Sequence, residues 1–153
     1  MSACLRFTRR VWKSFLDQKG LNITLAKPGR IEASLKIEPY NGTVHGGLLL
    51  SLTDTIGSLA VASKGQYMTG VSTDISASFV RPAGKPGEIL KMVGTVTALG
   101  RSLAYTRIDF FNEKGDLAAY GTHTKYVGKS AGHKNDVKLS EDGESVMEGE
   151  DVD

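Results

Sequence analysis

The chain has 153 residues, 40% apolar and 24% charged, an ordinary globular composition long enough to bury the core of one domain. A single cysteine, Cys4, excludes a disulfide framework and suits a reducing compartment, and no apolar run is long enough to span a membrane. The formal charge of +2 divides into a +7 body and a −5 tail, the tail from Gly128 onward holding three lysines against eight acids; no basic stripe is interleaved with aromatics, so nucleic acid is not an expected partner, and the basic body suits an anionic ligand or a merely solvated face.

At the start of the chain, Leu5, Val11, Trp12, Phe15 and Leu16 recur at roughly helical spacing between Arg6, Arg9, Arg10 and Lys13. This predicts an amphipathic helix within residues 1–20, stopped by Gly20. Its first 16 residues are basic and lack acids. It reads as a surface helix or as a short mitochondrial targeting element, so the expected location is cytoplasmic or mitochondrial. After Pro28-Gly29, Ile31, Ala33, Leu35 and Ile37 alternate with Glu32, Ser34 and Lys36, the pattern of a half-buried strand.

A loop from Pro39 through Asn41 and Gly42 leads to a helix from about His45 to Ser63. Leu48, Leu49, Leu50, Leu52, Ile56, Leu59 and Val61 cover most of its circumference. It is therefore expected to be buried on most sides, more than one small sheet can cover, which implies a second subunit. The helix carries one carboxylate, Asp54. A charge in an apolar segment is costly unless it is paired or functional. The Gly46-Gly47 pair leaves the backbone N–H groups at the helix start open to a ligand. An electrophile-binding turn and a buried carboxylate are two parts of an acyl-transfer site.

Four strands are predicted next. Val71–Arg81 places Val71, Ile75, Ala77 and Phe79 on one face; Ile89–Leu99 follows Pro86-Gly87; Leu103–Phe111 follows a turn around Leu99–Ser102; Leu117–Val127 follows the turn Asn112–Asp116. One long helix against an antiparallel sheet is an α+β layer. The tail, Gly128–Asp153, is rich in Gly, Ser and acids and is expected to be disordered, which leaves residues 1–127 as the folded domain.

Ser72 lies in a strand-like GVSTD and not in a Gly-x-Ser-x-Gly elbow, which disfavours a nucleophilic serine. Asp74, two residues on, is expected to share its face. His123 and His133 lack metal-ligand spacing with each other or with Cys4, so no metal is expected.

Three stretches, GTVHGGLLLSLTD from Gly42, GVSTDISASFVRPA from Gly70 and GTHTKYVG from Gly121, resemble the hotdog-fold acyl-coenzyme A thioesterases, in particular the PaaI-like and thioesterase superfamily member two branch. The likeness covers most of residues 5–128. A His-Gly-Gly, an Asp nine residues after that His, and a Val-Ser-x-Asp eighteen residues beyond the Asp form a specific combination. The resemblance implies a hotdog fold, with an antiparallel sheet wrapped around one long central helix. It also implies a homodimer or homotetramer whose sites are shared between subunits. The implied reaction is hydrolysis of an acyl-CoA, with no cofactor beyond the CoA of the substrate.

By the same resemblance Asp54 is the general base, or the nucleophile, and the Gly46 N–H holds the developing oxyanion. His45 lines the site, and Ser72 orients the attacking water. The family commonly has an Asn six residues before the His; Pro39 stands there, and Asn41 is the amide nearest to taking its place. The turn Ala98, Leu99, Gly100, Arg101, Ser102, Leu103 corresponds to a wall of the nucleotide channel, with Arg101 available to a phosphate and Phe79, Arg81 and Tyr126 near the same channel. Lys125 could add positive charge. The structural alternatives are a paired Asp54, a glycine pair kept for packing, an ordinary strand serine and a solvated Arg101. The functional alternative is an acyl-CoA or lipid-binding hotdog protein with weak turnover, for which Pro39 is the evidence. A hotdog dehydratase or hydratase would need a His-Asp pairing at the spacing of those enzymes, which the sequence does not show, and an interaction protein would act through the acidic tail.

Overall fold

The computed structural model describes residues 1–13, 16, 20–39 and 44–151. Helix α1 spans Ala3–Val11 and helix α2 spans Gly46–Ala62. Strands β1 (Leu21–Lys27), β2 (Arg30–Lys36), β3 (Val71–Phe79), β4 (Ile89–Leu99), β5 (Leu103–Phe111) and β6 (Leu117–Tyr126) form one antiparallel sheet in the order β1-β2-β4-β5-β6-β3. The expected α+β layer is present, with α2 lying on one face of the sheet. No helix among the described residues is long and apolar enough to cross a membrane.

Alternation builds the layer. Ile31, Ala33 and Leu35 of β2, Leu90 and Met92 of β4, and Ile108 and Phe110 of β5 are buried against Leu49, Leu52, Ile56 and Leu59 of α2. Glycines let helix and sheet approach. A Cβ at Gly94 would meet Ile56 at 2.6 Å, one at Gly121 would meet Thr53 at 2.7 Å, and one at Gly57 would meet both His123 and Thr106 at 2.7 Å.

Three sequence expectations change. First, the strand β1 is additional: it pairs with β2 across the Pro28-Gly29 turn, where Gly29 takes φ +84°. A bulge between Ile23 and Leu25 breaks the alternation that would otherwise mark it. Second, α1 ends at Val11, earlier than Gly20, and Phe15 lies outside the described residues. Its inner face buries Ala3, Cys4, Phe7 and Thr8, so α1 is part of the domain. Burial pushes the Cys4 thiol up to about 11, and Cys4 packs as a small apolar side chain.

Third, the tail is ordered through residue 151. It forms a strap across the end of α2, with a short hairpin of β7 (Lys138–Leu139) and β8 (Val146–Glu148). The strap lacks a core of its own; Leu139 packs on the main core, and hydrogen bonds hold the rest. The amides of Ala3 and Cys4 donate to Glu144 O and Gly143 O, Val137 N donates to Gly65 O, and Arg6 pairs with Asp151 at 2.8 Å. Asp136 is the hub, its carboxylate accepting from the amides of Tyr67, Gly132 and His133 at 2.9–3.0 Å. Losing that carboxylate removes three hydrogen bonds that solvent partly weakens, about 0.7 kcal/mol each and about 2 kcal/mol in total. Asp136→Ala is expected to lower the melting temperature by about 5 °C, read by calorimetry. An unchanged melting temperature would mean that the strap adds nothing to stability.

Candidate functional site

The inner face of the sheet changes character from one edge to the other. It is aliphatic on β2, β4 and most of β5, and turns polar at Thr106 of β5, at His123 and Lys125 of β6 and at Ser72 of β3. Paired residues in an antiparallel ladder share a face. Thr106 of β5 lies opposite His123 of β6, and Ser72 of β3 lies opposite Lys125 of β6. All four therefore point toward α2, which presents Asp54 and, one turn later, Ser58.

A bulge sets this arrangement. The register of β3 slips between Ser72 and Asp74, so Ser72 is opposite Lys125 while Asp74 is opposite Thr124. The slip turns Ser72 inward and Asp74 outward, against the expectation that they share a face. It also corrects Val71, which pairs with Tyr126 and is 65% exposed, out of phase with Ile75, Ala77 and Phe79. Re-aiming one side chain beside a site is a common use of a bulge.

His123 is the centre. It is completely buried, with Nε2 2.7 Å from Ser72 Oγ and 3.6 Å from Asp54 Oδ1. Nδ1 has no partner among the described residues and faces Gly57. A buried orphan N–H is rarer than a buried orphan acceptor, and a carboxylate beside Nε2 favours a proton there. We therefore assign the proton to Nε2, which donates to Ser72 Oγ. The Ser72 hydroxyl is then free to donate outward, and His123 does not act as its base. Burial and the Lys125 charge push the His123 imidazole below its ordinary range, against the pull of Asp54 and Asp74.

Asp54 is less buried than the apolar helix predicts: its side chain is 47% exposed in the single chain. Half-exposure leaves it reachable by substrate and water from the β3 edge. Gly46 opens α2 behind His45, the N-cap, whose exposed side chain makes no capping bond. Among the described residues the amides of Gly46 and Gly47 have no acceptor, while those of Leu48 and Leu49 donate to His45 O. The helix start thus presents two donors without an acceptor among the described residues, at the positive end of a dipole. The Phe79 ring lies against Gly46, where a Cβ would meet it at 2.9 Å. Asn41 lies outside the described residues. Exposed Pro39 carries no N–H to offer.

The residues expected to line a nucleotide channel fall into two groups. Phe79 and Arg81 sit at the Gly46 end, where Arg81 lies 3.9 Å from Asp116. Ala98, Leu99, Gly100, Arg101, Ser102, Leu103 and Tyr126 sit at the opposite end of the sheet, beside Val61 and Val127 near the end of α2. The nine residues of β3 separate the two ends by roughly 25–30 Å. One chain does not bring both groups to one place. Lys125 belongs to neither: it is 3% exposed and points inward.

His123 and Lys125 carry a sequence signal that spacing rules for metals pass over. They occupy the inward phase of Ala119-x-Gly121-x-His123-x-Lys125, where two polar residues replace apolar ones.

Residues 41–119 match the sequence model of the thioesterase superfamily. A putative esterase of Schizosaccharomyces pombe is 35% identical over 151 residues, covering 90% of this chain and 94% of that protein. Acyl-coenzyme A thioesterase 13 of Homo sapiens is 34% identical over 113 residues, covering 71% of this chain and 80% of that protein. The crystal structure of thioesterase superfamily member 2 from Mus musculus superposes with a TM-score of 0.73 at 29% identity, covering 84% of this chain and all of that one.

Proposed function

The chain belongs to the thioesterase superfamily, and from that premise we propose that it hydrolyses an acyl-coenzyme A thioester, fatty or aryl, to the free acid and coenzyme A. The observation that carries this reading is the meeting of Asp54 and Ser72 on the Nε2 of one buried histidine, with open amides where α2 begins. The human relative's name supplies the substrate class.

Each residue has a task in this reading. The thioester carbonyl lies against the start of α2, where the Gly46 N–H and the helix dipole stabilise the negative charge that grows on oxygen. Water is held by the Ser72 hydroxyl, which His123 orients. Asp54 takes the proton from that water as it attacks the carbonyl carbon. The tetrahedral intermediate collapses and expels the thiolate of coenzyme A, which takes up the proton that Asp54 accepted and so returns Asp54 to its carboxylate form. Pro39 leaves one oxyanion donor short of the family pattern, and Asn41 is the residue we assign to the vacancy.

The site is shared between two copies. β3 is an edge strand nine residues long without Lys or Pro, and Val71, Phe79 and Val80 are exposed along it by 65%, 55% and 46%. Such an edge is a template for pairing. Antiparallel pairing of β3 with its copy sets the Tyr126 end of one sheet beside the Phe79 end of the other. The partner's turn from Ala98 to Leu103 then lies near this chain's Gly46, which reunites the two groups of channel residues.

A second reading, acyl-CoA binding with weak turnover, is favoured by Pro39 alone. Thiol release and equilibrium binding measured on one panel of acyl-CoAs separate the two. Release at many turnovers per site supports hydrolysis; saturable binding without release supports the second reading.

A further inference from the structure

Lys125 is a buried cation that the proposed hydrolysis does not use. Its side chain is almost fully enclosed between β6 and α2, and no carboxylate among the described residues lies within ion-pair distance of it. Nζ donates to Ser58 Oγ at 2.6 Å and to Thr69 Oγ1 at 3.3 Å. Removing an ammonium from water without a paired anion is expensive. Burial duly lowers the Lys125 ammonium below the usual lysine range, with Asp54 pulling the other way.

The geometry says what this charge faces. His123 and Lys125 are two apart on β6 and share its inner face, and Asp54 and Ser58 are four apart on α2 and share a helix face. His123 lies beside Asp54 while Lys125 is tied to Ser58, so the strand pair and the helix pair run in step. Gly57 provides the space for the imidazole between them.

We propose that Lys125 is a positioning residue for the hydrolysis: held by Ser58 and Thr69, its fixed charge keeps His123 neutral and so keeps Asp54 out of an ion pair with the imidazole. The proposal rests on the reading of Asp54 as the base. The charged groups that act on His123 are Lys125 from its own strand, Asp54 from α2 and, at longer range from the outer phase of β3, Asp74; β5 contributes the uncharged Thr106, whose hydroxyl donates to His123 O. Burial and Lys125 favour the neutral ring, and the two carboxylates together with a hydrogen bond to the Asp54 backbone favour the charged one. Without Lys125, burial alone opposes two carboxylates, and His123 takes a proton at higher pH. An imidazolium 3.6 Å from Asp54 would bind the carboxylate and weaken it as a base.

The test replaces Lys125 in the full chain with a side chain of similar length and no charge, Lys125→Met. The His123 ring is titrated by NMR and kcat/KM is measured across pH. The expected result is an upward shift of the His123 titration by about one pH unit. The acid limb of kcat/KM should move with it, so that the loss of rate grows as pH falls. Ser58→Ala, which keeps the charge and loosens its hold, should shift both in the same direction by less, and it serves if Lys125→Met does not fold. A His123 titration that stays at its wild-type position, with a rate loss equal at every pH, would overturn the proposal and make Lys125 a packing residue. The titration needs no turnover. Absence of thiol release from the unsubstituted protein would overturn the hydrolytic reading itself, and with it the catalytic part of this one. Release with an unmoved titration would overturn this inference alone.

Discussion

Asp54→Asn is expected to lower kcat at least about 10²-fold while leaving the fold intact, the usual scale for removing a general base. The amide is nearly isosteric, the side chain is half in solvent, and the buried His123 Nε2 keeps its bond to Ser72, so the fold should hold. KM should change little, since the carboxylate acts on water and not on the acyl-CoA. The lost interaction belongs to the transition state, and kcat and kcat/KM should therefore fall together. Steady-state thiol release gives both constants, and a melting curve checks the fold. Turnover near the wild-type value in a folded Asp54→Asn protein would falsify the assignment.

The second large effect concerns the β3 edge. Val71→Asp together with Val80→Asp is expected to prevent β3 from pairing with its copy. Two exposed apolar side chains become carboxylates that would be buried in a symmetric interface, each at a cost of a few kcal/mol. Every 1.4 kcal/mol lost is tenfold in the dissociation constant. Neither residue touches the groups around His123, because Val71 lies on the outer phase of the bulged strand and Val80 follows β3. Sedimentation of the wild-type chain should give a dimer or tetramer and that of the variant a monomer. Activity per subunit should fall at least about tenfold in the variant, in step with the fraction of monomer. A fully active monomer would refute the shared site.

Most of the layer was readable because its signals are local. Alternation and glycine turns mark β4, β5 and β6 within a residue or so, and the leucine-rich run marks α2 from His45 to its end. The parts that escaped depend on contacts far along the chain. The bulge in β3 has no residue type to announce it, yet it decides that Ser72 faces His123 and that Val71 does not. The bulge in β1 moves Ala26 inward in place of Leu25, which hides the strand. The strap after Val127 looks too polar to fold because its sequence offers no core of its own. Its order comes from backbone amides converging on Asp136 and from docking on α1.

The site was legible in part for the same reason. Asp54, Gly46 and Ser72 stood out through motif spacing. His123 sits 51 residues from Ser72, and Lys125 sits 67 from Ser58, so their pairing appears only once β6 is laid beside β3 and under α2. The residues expected from the resemblance to line a nucleotide channel sit at two ends of one sheet, a separation that strand order reveals and sequence distance does not.

The central claim is that water, activated by Asp54, attacks the thioester carbon. A single turnover in water enriched in oxygen-18, with enzyme in excess over acyl-CoA, tests it most directly. Mass spectrometry of the released acid should find one labelled oxygen in the first turnover, with no label left on Asp54. An unlabelled acid from the first turnover would mean that its new oxygen came from the Asp54 carboxylate through a mixed anhydride, contradicting the role of Asp54 as base; no acid at all, with acyl-CoA still bound, would contradict the hydrolysis itself.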